Sequence, residues 1–298
     1  MVAPLRLATR GSALARWQAE HVASRLGRSG VETTLVFVET TGDLRRDVPL
    51  SQLGGQGVFV KEVEAAVLEG RADAAVHSAK DLQSTTAPGL VLAAVPERGD
   101  PRDALVGSSL ASLRTGALVA TGSVRRRAQL AWLRPDLTFT GLRGNMDTRV
   151  AKVDQPGGPA AVVVAATALV RLGWTERIAE YLEPSVMIPQ VAQGALAIEC
   201  RDGDDATRAA LAPIEDGASR MAVNEERAFL AELGGGCDLP VGAYATVANG
   251  VVDLTGLLCS LDGRVRLVAR GSSGRAVARE LLDEAGGRAL LDELAPTS

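Results

Sequence analysis

At 298 residues with 46% hydrophobic content and a formal net charge of -4, the chain is long enough for two or three domains that each bury a core. Arg6, Arg10 and Arg16 interrupt the apolar positions of the first twenty residues, and no apolar run reaches membrane-spanning length, which argues against a signal peptide and a transmembrane helix. Cys200, Cys237 and Cys259 lack CxxC spacing and only His21 and His77 accompany them, so neither a disulfide framework nor a metal site is expected, and the reading is a cytoplasmic protein with free thiols.

The first two hundred residues alternate short β-rich runs with helical patterns, the signature of parallel α/β architecture. Leu5 to Ala8 reads as a strand, and Ser12 caps a helix whose Leu14, Trp17, Val22 and Leu26 recur at near-helical spacing. Thr34 to Val38 is the next strand. Residues 40–57, TTGDLRRDVPLSQLGGQG, are polar and glycine-rich, and a connection of that length reads as an active-site lid ahead of the helix FVKEVEAAVLEG. DAAVHS (73–78) and GLVLAAV (89–95) continue the sheet, and PERGDPRD (96–103) reads as a crossing between domains.

A second α/β unit follows: Leu118 to Ala120 as a strand, a helix from about Ser123, the strand LTFT, a helix near Asn145, the loop QPGGP, the strand AAVVVA (160–165) and a further helix. VAQGALAIEC (191–200) reads as a strand returning to the first domain. After the helix ASRMAVNEERAFLAEL come VGAYATV, VVDLTGLL and RVRLVAR, joined at Asn249-Gly250 and Asp262-Gly263, both hairpin signals. They predict an antiparallel sheet covered by helices within 273–294. No internal repeat is visible. The expected domains are residues 1–97 with 194–215, residues 98–193, and residues 216–298.

Three stretches could carry chemistry. TGSVRRRAQL (121–130) opens a helix after Thr-Gly-Ser, where free backbone amides, the positive end of the dipole and arginine forks all favour an anion. From Thr121 to Arg149 there are six arginines and two aspartates, which is a positive island in an acidic chain. Three adjacent helical residues span about 200°, so at most two of Arg125, Arg126 and Arg127 can face one ligand. LRGNMDTR (142–149) brings Arg143 and Arg149 to another strand-to-helix turn. A plain basic surface helix is the alternative. VHSAKD (76–81) sets His77, Ser78, Lys80 and Asp81 at the carboxyl edge of a strand, where open α/β sheets bind ligands; Lys80 as a Schiff-base former, Asp81 as an acid or cation stabiliser, and a simple surface turn all remain open. GGGCDLPVG (234–242) frees the backbone around Cys237, a candidate nucleophile, whereas Cys200 and Cys259 sit in apolar strands as inert core thiols do.

Taken in order, LATRGSALARWQA, GGQGVFVKE, HSAKD, DPRDAL, GSVRRRAQL, LRGNMDTR, VAQGALAIECR and GGGCDLPVGAY resemble the porphobilinogen deaminase (hydroxymethylbilane synthase) family across nearly the whole chain. The resemblance implies two periplasmic-binding-protein-like (type II) α/β domains plus a smaller α/β C-terminal domain with an antiparallel sheet. It implies a dipyrromethane cofactor on a cysteine thioether, and the head-to-tail condensation of four porphobilinogen molecules into linear hydroxymethylbilane with loss of ammonia. By the same resemblance Asp81 is the catalytic aspartate and Cys237 the cofactor attachment. Arg10, Lys80, Arg125, Arg126, Arg143, Arg149 and Arg171 bind the acetate and propionate groups of cofactor and substrate, with Ser12, Thr121, Ser123 and Gln193 beside them. Gln52 and Gln56 replace lysines that the lid of many relatives carries, so no lid-lysine contact is expected, and Arg127 is expected to be the solvated member of its trio. A cytoplasmic monomer with no nucleic-acid or membrane partner is the expectation. A protein that only captures an anionic metabolite, or one that binds nucleic acid, would use the arginines too. The first would need neither Asp81 nor the glycine-flanked thiol, and the second is poorly served by four Phe, two Tyr and an acidic balance.

Overall fold

The computed structural model describes residues 3–40, 60–234 and 239–294. The expected lid beyond Thr40, with Gln52 and Gln56, and the loop residue Cys237 lie outside the described residues. Contacts group the chain into two compact units, Met1–Gly99 with Gly194–Met221 and Asp100–Gln193 with Ala222–Ser298. Among the described residues no helix is long and apolar enough to cross a membrane.

In the first unit the strands are β1 (Leu5–Arg10), β2 (Thr33–Val38), β3 (Ala74–Ser78), β4 (Leu90–Ala94) and β10 (Leu196–Arg201), in the order β2-β1-β3-β10-β4. The strands β1, β2 and β3 run parallel, and β10 is antiparallel to both its neighbours. Alternation along the strands separates two apolar faces. Leu7, Ala74, Val76 and Ile198 pack with Val22 and Leu26 of helix α1 (Ala13–Arg28), while Ala8 and Ala75 pack with Val63 and Val67 of helix α2 (Lys61–Leu68).

The second unit repeats that layout. Its strands β5 (Asp103–Val106), β6 (Leu118–Ala120), β7 (Thr138–Thr140), β8 (Ala161–Ala165) and β9 (Ile178–Leu182) are ordered β7-β6-β8-β5-β9, with β5 antiparallel to both neighbours. Helix α3 (Val124–Leu133) covers the Leu105–Val119–Val163 face; α4 (Met146–Val150) and α5 (Ala166–Arg171) cover the Val106–Ala120–Val162 face. The chain enters this sheet through β5 and returns to the first sheet through β10, so the two antiparallel strands occupy equivalent places. The duplication is therefore one of topology, which is why a search of the sequence for repeats does not find it.

Helix α6 (Asp205–Leu211) precedes α7 (Gly217–Glu232), which leads to a three-stranded antiparallel sheet of β11 (Val241–Ala248), β12 (Val251–Cys259) and β13 (Arg266–Gly271). Helices α8 (Gly274–Arg279) and α9 (Gly287–Leu294) follow it. Two α/β units and a smaller antiparallel sheet with helices are the architecture that the resemblance implied.

Three local expectations need correction. The returning strand begins at Leu196, not Val191, because Ala192 adopts φ 58° and its amide is held by the Glu226 side chain at 2.6 Å, which turns the chain there. The crossing segment ends in a strand, Asp103 being the first residue of β5. β9 and α6 are additional elements whose short patterns, IAEYL and DATRAAL, are weak in isolation.

Candidate active site

In the first unit, β1 and β3 are parallel neighbours, so their carboxyl ends open on one edge. Arg10 is the last residue of β1, and Ser12 caps α1 with its Oγ accepting from the Ala15 amide at 3.3 Å. An N-cap hydroxyl spends its lone pair on the helix and keeps its hydrogen to donate. β3 ends in a single 3-10 turn, Ala79–Asp81, which carries Lys80 and Asp81 half-buried at the edge. The turn is tied to the residue just before β10 by the Ala79 amide donating to the Ala195 carbonyl at 3.0 Å. His77 points instead into the α2 face, buried with its Nε2 3.4 Å from Glu199 Oε2. That contact is an ion pair only if both groups are charged. Burial of both favours the neutral imidazole, and the nearby Arg10 charge adds to this, so the His77 pKa is pushed down to about 4. His77 is thus no member of a nucleophilic triad.

In the second unit β6 lies between β7 and β8, all three parallel, and the turns after them share an edge. Thr121 follows β6; its Oγ1 accepts from the Ser123 amide at 3.2 Å, and Ser123 Oγ caps α3 by accepting from the Arg126 amide at 3.4 Å. Gly122 is needed for close approach: a Cβ there would stand 2.5 Å from the Leu142 carbonyl oxygen. That contact brings the 142–149 turn, with exposed Arg143 and half-buried Arg149, against the Thr-Gly-Ser turn. Arg149 Nε donates to the Gly144 carbonyl at 2.7 Å. Arg171 ends α5, and burial pushes its guanidinium pKa down to about 10.

The arginine trio divides as the helical geometry requires. Arg127 is exposed, whereas Arg125 and Arg126 are 2% and 7% exposed and converge on Asp103, which is fully buried. Arg126 Nε lies 2.9 Å and its Nη2 2.8 Å from Asp103 Oδ1, and Arg125 Nη2 is 2.8 Å from Oδ2, close enough for an ion pair but not aligned as a hydrogen bond. Arg125 Nη1 donates to the Ile188 carbonyl at 2.6 Å and Arg126 Nη1 to that of Val163 at 3.2 Å. Gln193 completes the cluster: Nε2 donates to Asp103 Oδ1 at 2.8 Å, and Oε1 accepts from Arg126 Nη2 at 3.3 Å. Burial alone would raise the Asp103 pKa, but the charges of Arg125 and Arg126 outweigh it and, with the hydrogen bond from Gln193, hold it at about 2. Two cations therefore share one carboxylate out of water, and among the described residues the buried Nε of Arg125 has no hydrogen-bond partner. Such a cluster suits a further anion. Asp103 is the residue that sequence reasoning missed. Its signal was an acid opening the apolar run DALV, in a segment read as a crossing and, as DPRDAL, as part of the resemblance, with no role given to the acid.

Cys200 and Cys259 are buried free thiols, and burial pushes Cys259 up to about 12. Among the described residues no group of three or more His, Cys, Asp or Glu side chains is placed to hold a metal ion.

Comparison with known proteins adds the following. A family model described as "Porphobilinogen deaminase, dipyromethane cofactor binding domain" matches residues 5–209, and one described as "Porphobilinogen deaminase, C-terminal domain" matches residues 221–283. The chain is 49% identical over 299 residues to a porphobilinogen deaminase of Roseiflexus castenholzii, covering 96% of this chain and 98% of that one. It is 48% identical over 264 residues to a protein of the same name from Syntrophotalea carbinolica, covering 87% of this chain and 84% of the relative.

Proposed function

The chain belongs to the porphobilinogen deaminase family, and from that premise we propose a role for each residue at its two sheet edges. It is an enzyme of tetrapyrrole biosynthesis that joins four porphobilinogen molecules head to tail, with loss of ammonia, into linear hydroxymethylbilane. The dipyrromethane cofactor, when bound, supplies the primer on which the chain grows. Its rings carry acetate and propionate groups, and the buried excess of positive charge around Arg125 and Arg126 fits such a group. Cys237 holds it through a thioether in this reading. Arg10, Arg143, Arg149 and Arg171 meet ring carboxylates at the strand ends, with Lys80 as a further cation. Ser12, Thr121 and Ser123 donate their hydroxyl hydrogens. Arg126 meets a carboxylate through the edge that Asp103 and Gln193 leave, and Arg125 contributes its field from within.

Asp81 carries the chemistry. When the aminomethyl C–N bond of porphobilinogen breaks and ammonia leaves, the pyrrole becomes a cation. The Asp81 carboxylate accepts the pyrrole N–H and stabilises that cation until the neighbouring ring's α-carbon forms the new C–C bond and loses its proton. A carboxylate already fixed in place does this without reorganisation at the moment of reaction. The observation that supports the assignment is placement: Asp81 sits half-buried in a hydrogen-bonded turn at the end of β3, beside the β1 end that carries Arg10. Asp81→Asn keeps the shape and removes the charge, so turnover should fall about a hundredfold or more with the fold intact. Near-normal porphobilinogen consumption by that variant would refute the role.

The proposal includes a three-domain division at 97/98, 193/194 and 215/216, supported by the three separate sheets. It also places the enzyme in the cytoplasm as a monomer without nucleic-acid partners, supported by free thiols and an acidic net charge of -4.

A further inference from the structure

Helix α3 delivers two adjacent arginines to one place, and like charges so close would splay apart unless something held them. Asp103 does so from the opposite side. Its Oδ1 takes the Nε and Nη2 of Arg126, at 2.9 and 2.8 Å, while Oδ2 takes Arg125 Nη2 at 2.8 Å. The carboxylate cannot swing to relieve either contact. Gln193 Nε2 donates to Oδ1 at 2.8 Å and to the Pro101 carbonyl at 2.8 Å, and β5 is hydrogen-bonded on both sides, with Asp103 opposite Ala165 in one neighbour and Leu182 in the other. On the far side, Gln129 holds the backbone of Ile188 at 2.8 and 3.0 Å, which fixes the carbonyl that accepts Arg125 Nη1. Arg127, the third arginine, has no such mount and lies exposed.

We infer that Asp103 is a positioning residue of the condensation: it mounts the Arg125 and Arg126 guanidiniums in the orientation from which they act on the carboxylates of the pyrrole chain. The inference rests on the proposed carboxylate-binding role of those arginines and adds what sets their geometry. The charge count also assigns a second consequence. One carboxylate against two guanidiniums leaves the cluster one positive charge in excess, so it holds its shape before an anionic ring arrives and still attracts it. An uncharged residue at 103 would leave two repelling cations, and a second acid would cancel the attraction.

The test uses purified holoenzyme with three readouts: the fraction of chains carrying the covalent cofactor by intact mass, KM against kcat per loaded chain, and a thermal melt. Asp103→Asn keeps the size and removes the charge. It should raise KM for porphobilinogen about tenfold, lower the loaded fraction, and leave kcat per loaded chain within about threefold. Arg126→Leu should do the same, and combining the two should add little to Arg126→Leu alone, because both remove one interaction. If Asp103→Asn does not fold, Asp103→Asn with Arg125→Met, which removes one charge of each sign, is compared with Arg125→Met alone, and the same rise in KM is expected. A folded Asp103 variant with unchanged KM and loading, beside an impaired Arg126→Leu, overturns the inference about Asp103 only. An Arg126→Leu enzyme with normal KM and loading overturns the reading of the arginines and the inference with it.

Discussion

The carboxylate of Glu226, on α7, accepts the backbone amide of Ala192 at 2.6 Å and that of Ala245, on β11, at 2.7 Å. One buried side chain thereby holds a left-handed turn that non-glycine residues seldom adopt and ties it to the three-stranded sheet. The next residue is Gln193, which braces Asp103. Glu226→Ala strands two buried amides and should cost about 2 to 5 kcal/mol. In a denaturant titration the midpoint should fall with little change in slope; an unchanged midpoint would show that water replaces the carboxylate.

Gly122 makes room for the Leu142 carbonyl. A methyl group at that position must displace the turn that carries Arg143 and Arg149. Gly122→Ala should lose about 1 to 3 kcal/mol of stability and raise KM for porphobilinogen more than it lowers kcat. An enzyme with native KM would mean that the position of the turn does not matter for binding.

His77 gives a pH dependence with a defined sign. Its pKa falls from an ordinary 6.5 to about 4 in the folded chain through burial and the Arg10 charge. Below pH 6.5 the unfolded chain takes up a proton that the folded one refuses, so stability declines as pH drops towards 4, by about 3 kcal/mol at most. Asp103 acts in the same direction over a lower range: depressed from 3.8 to about 2, it contributes fully above pH 3.8 and is lost only as pH falls towards 2. Stability measured between pH 7 and 4 should therefore flatten in His77→Gln. An identical slope in the variant would remove His77 as the source.

Exposed arginines separate by location. Arg143 stands at the turn beside Thr-Gly-Ser, and Arg127 projects from α3 to solvent. Arg143→Leu should raise KM about tenfold by deleting a charge-assisted contact, and Arg127→Leu should stay near the parent enzyme. Greater damage from Arg127→Leu would reverse the facing argument.

What was legible in the sequence is what local rules govern. Ser12 and Ser123 announce their caps because the amides they accept are three residues away. The turns at Thr121 and Lys80 follow from apolar runs that stop at polar segments, TGS and HSAKD, and the two C-terminal hairpins follow from Asn-Gly and Asp-Gly. Contacts distant in sequence were not legible. Asp103 meets Arg126 across 23 residues and Gln193 across 90, and its burial with two cations is a property of the assembled sheet. The start of β10 was misjudged because Ala192 is turned by a side chain 34 residues on. Helical spacing limited the trio to two arginines facing one anion and the resemblance singled out Arg125 and Arg126, but neither told that a protein carboxylate already sits there.

The most direct measurement is intact-protein mass spectrometry followed by peptide mapping. The enzyme as purified should carry an adduct of two porphobilinogen-derived units, and brief exposure to porphobilinogen should add a ladder of further units. The adduct should map to the peptide containing Cys237. Cys200 and Cys259 should remain unmodified, since both are buried and Cys259 is pushed up to about 12, where little thiolate forms at neutral pH. Cys237→Ala should give unmodified, inactive protein. An active enzyme with an unmodified Cys237, or an adduct on Cys200 or Cys259, would contradict the assignment of Cys237 as the thiol on which the pyrrole chain is built.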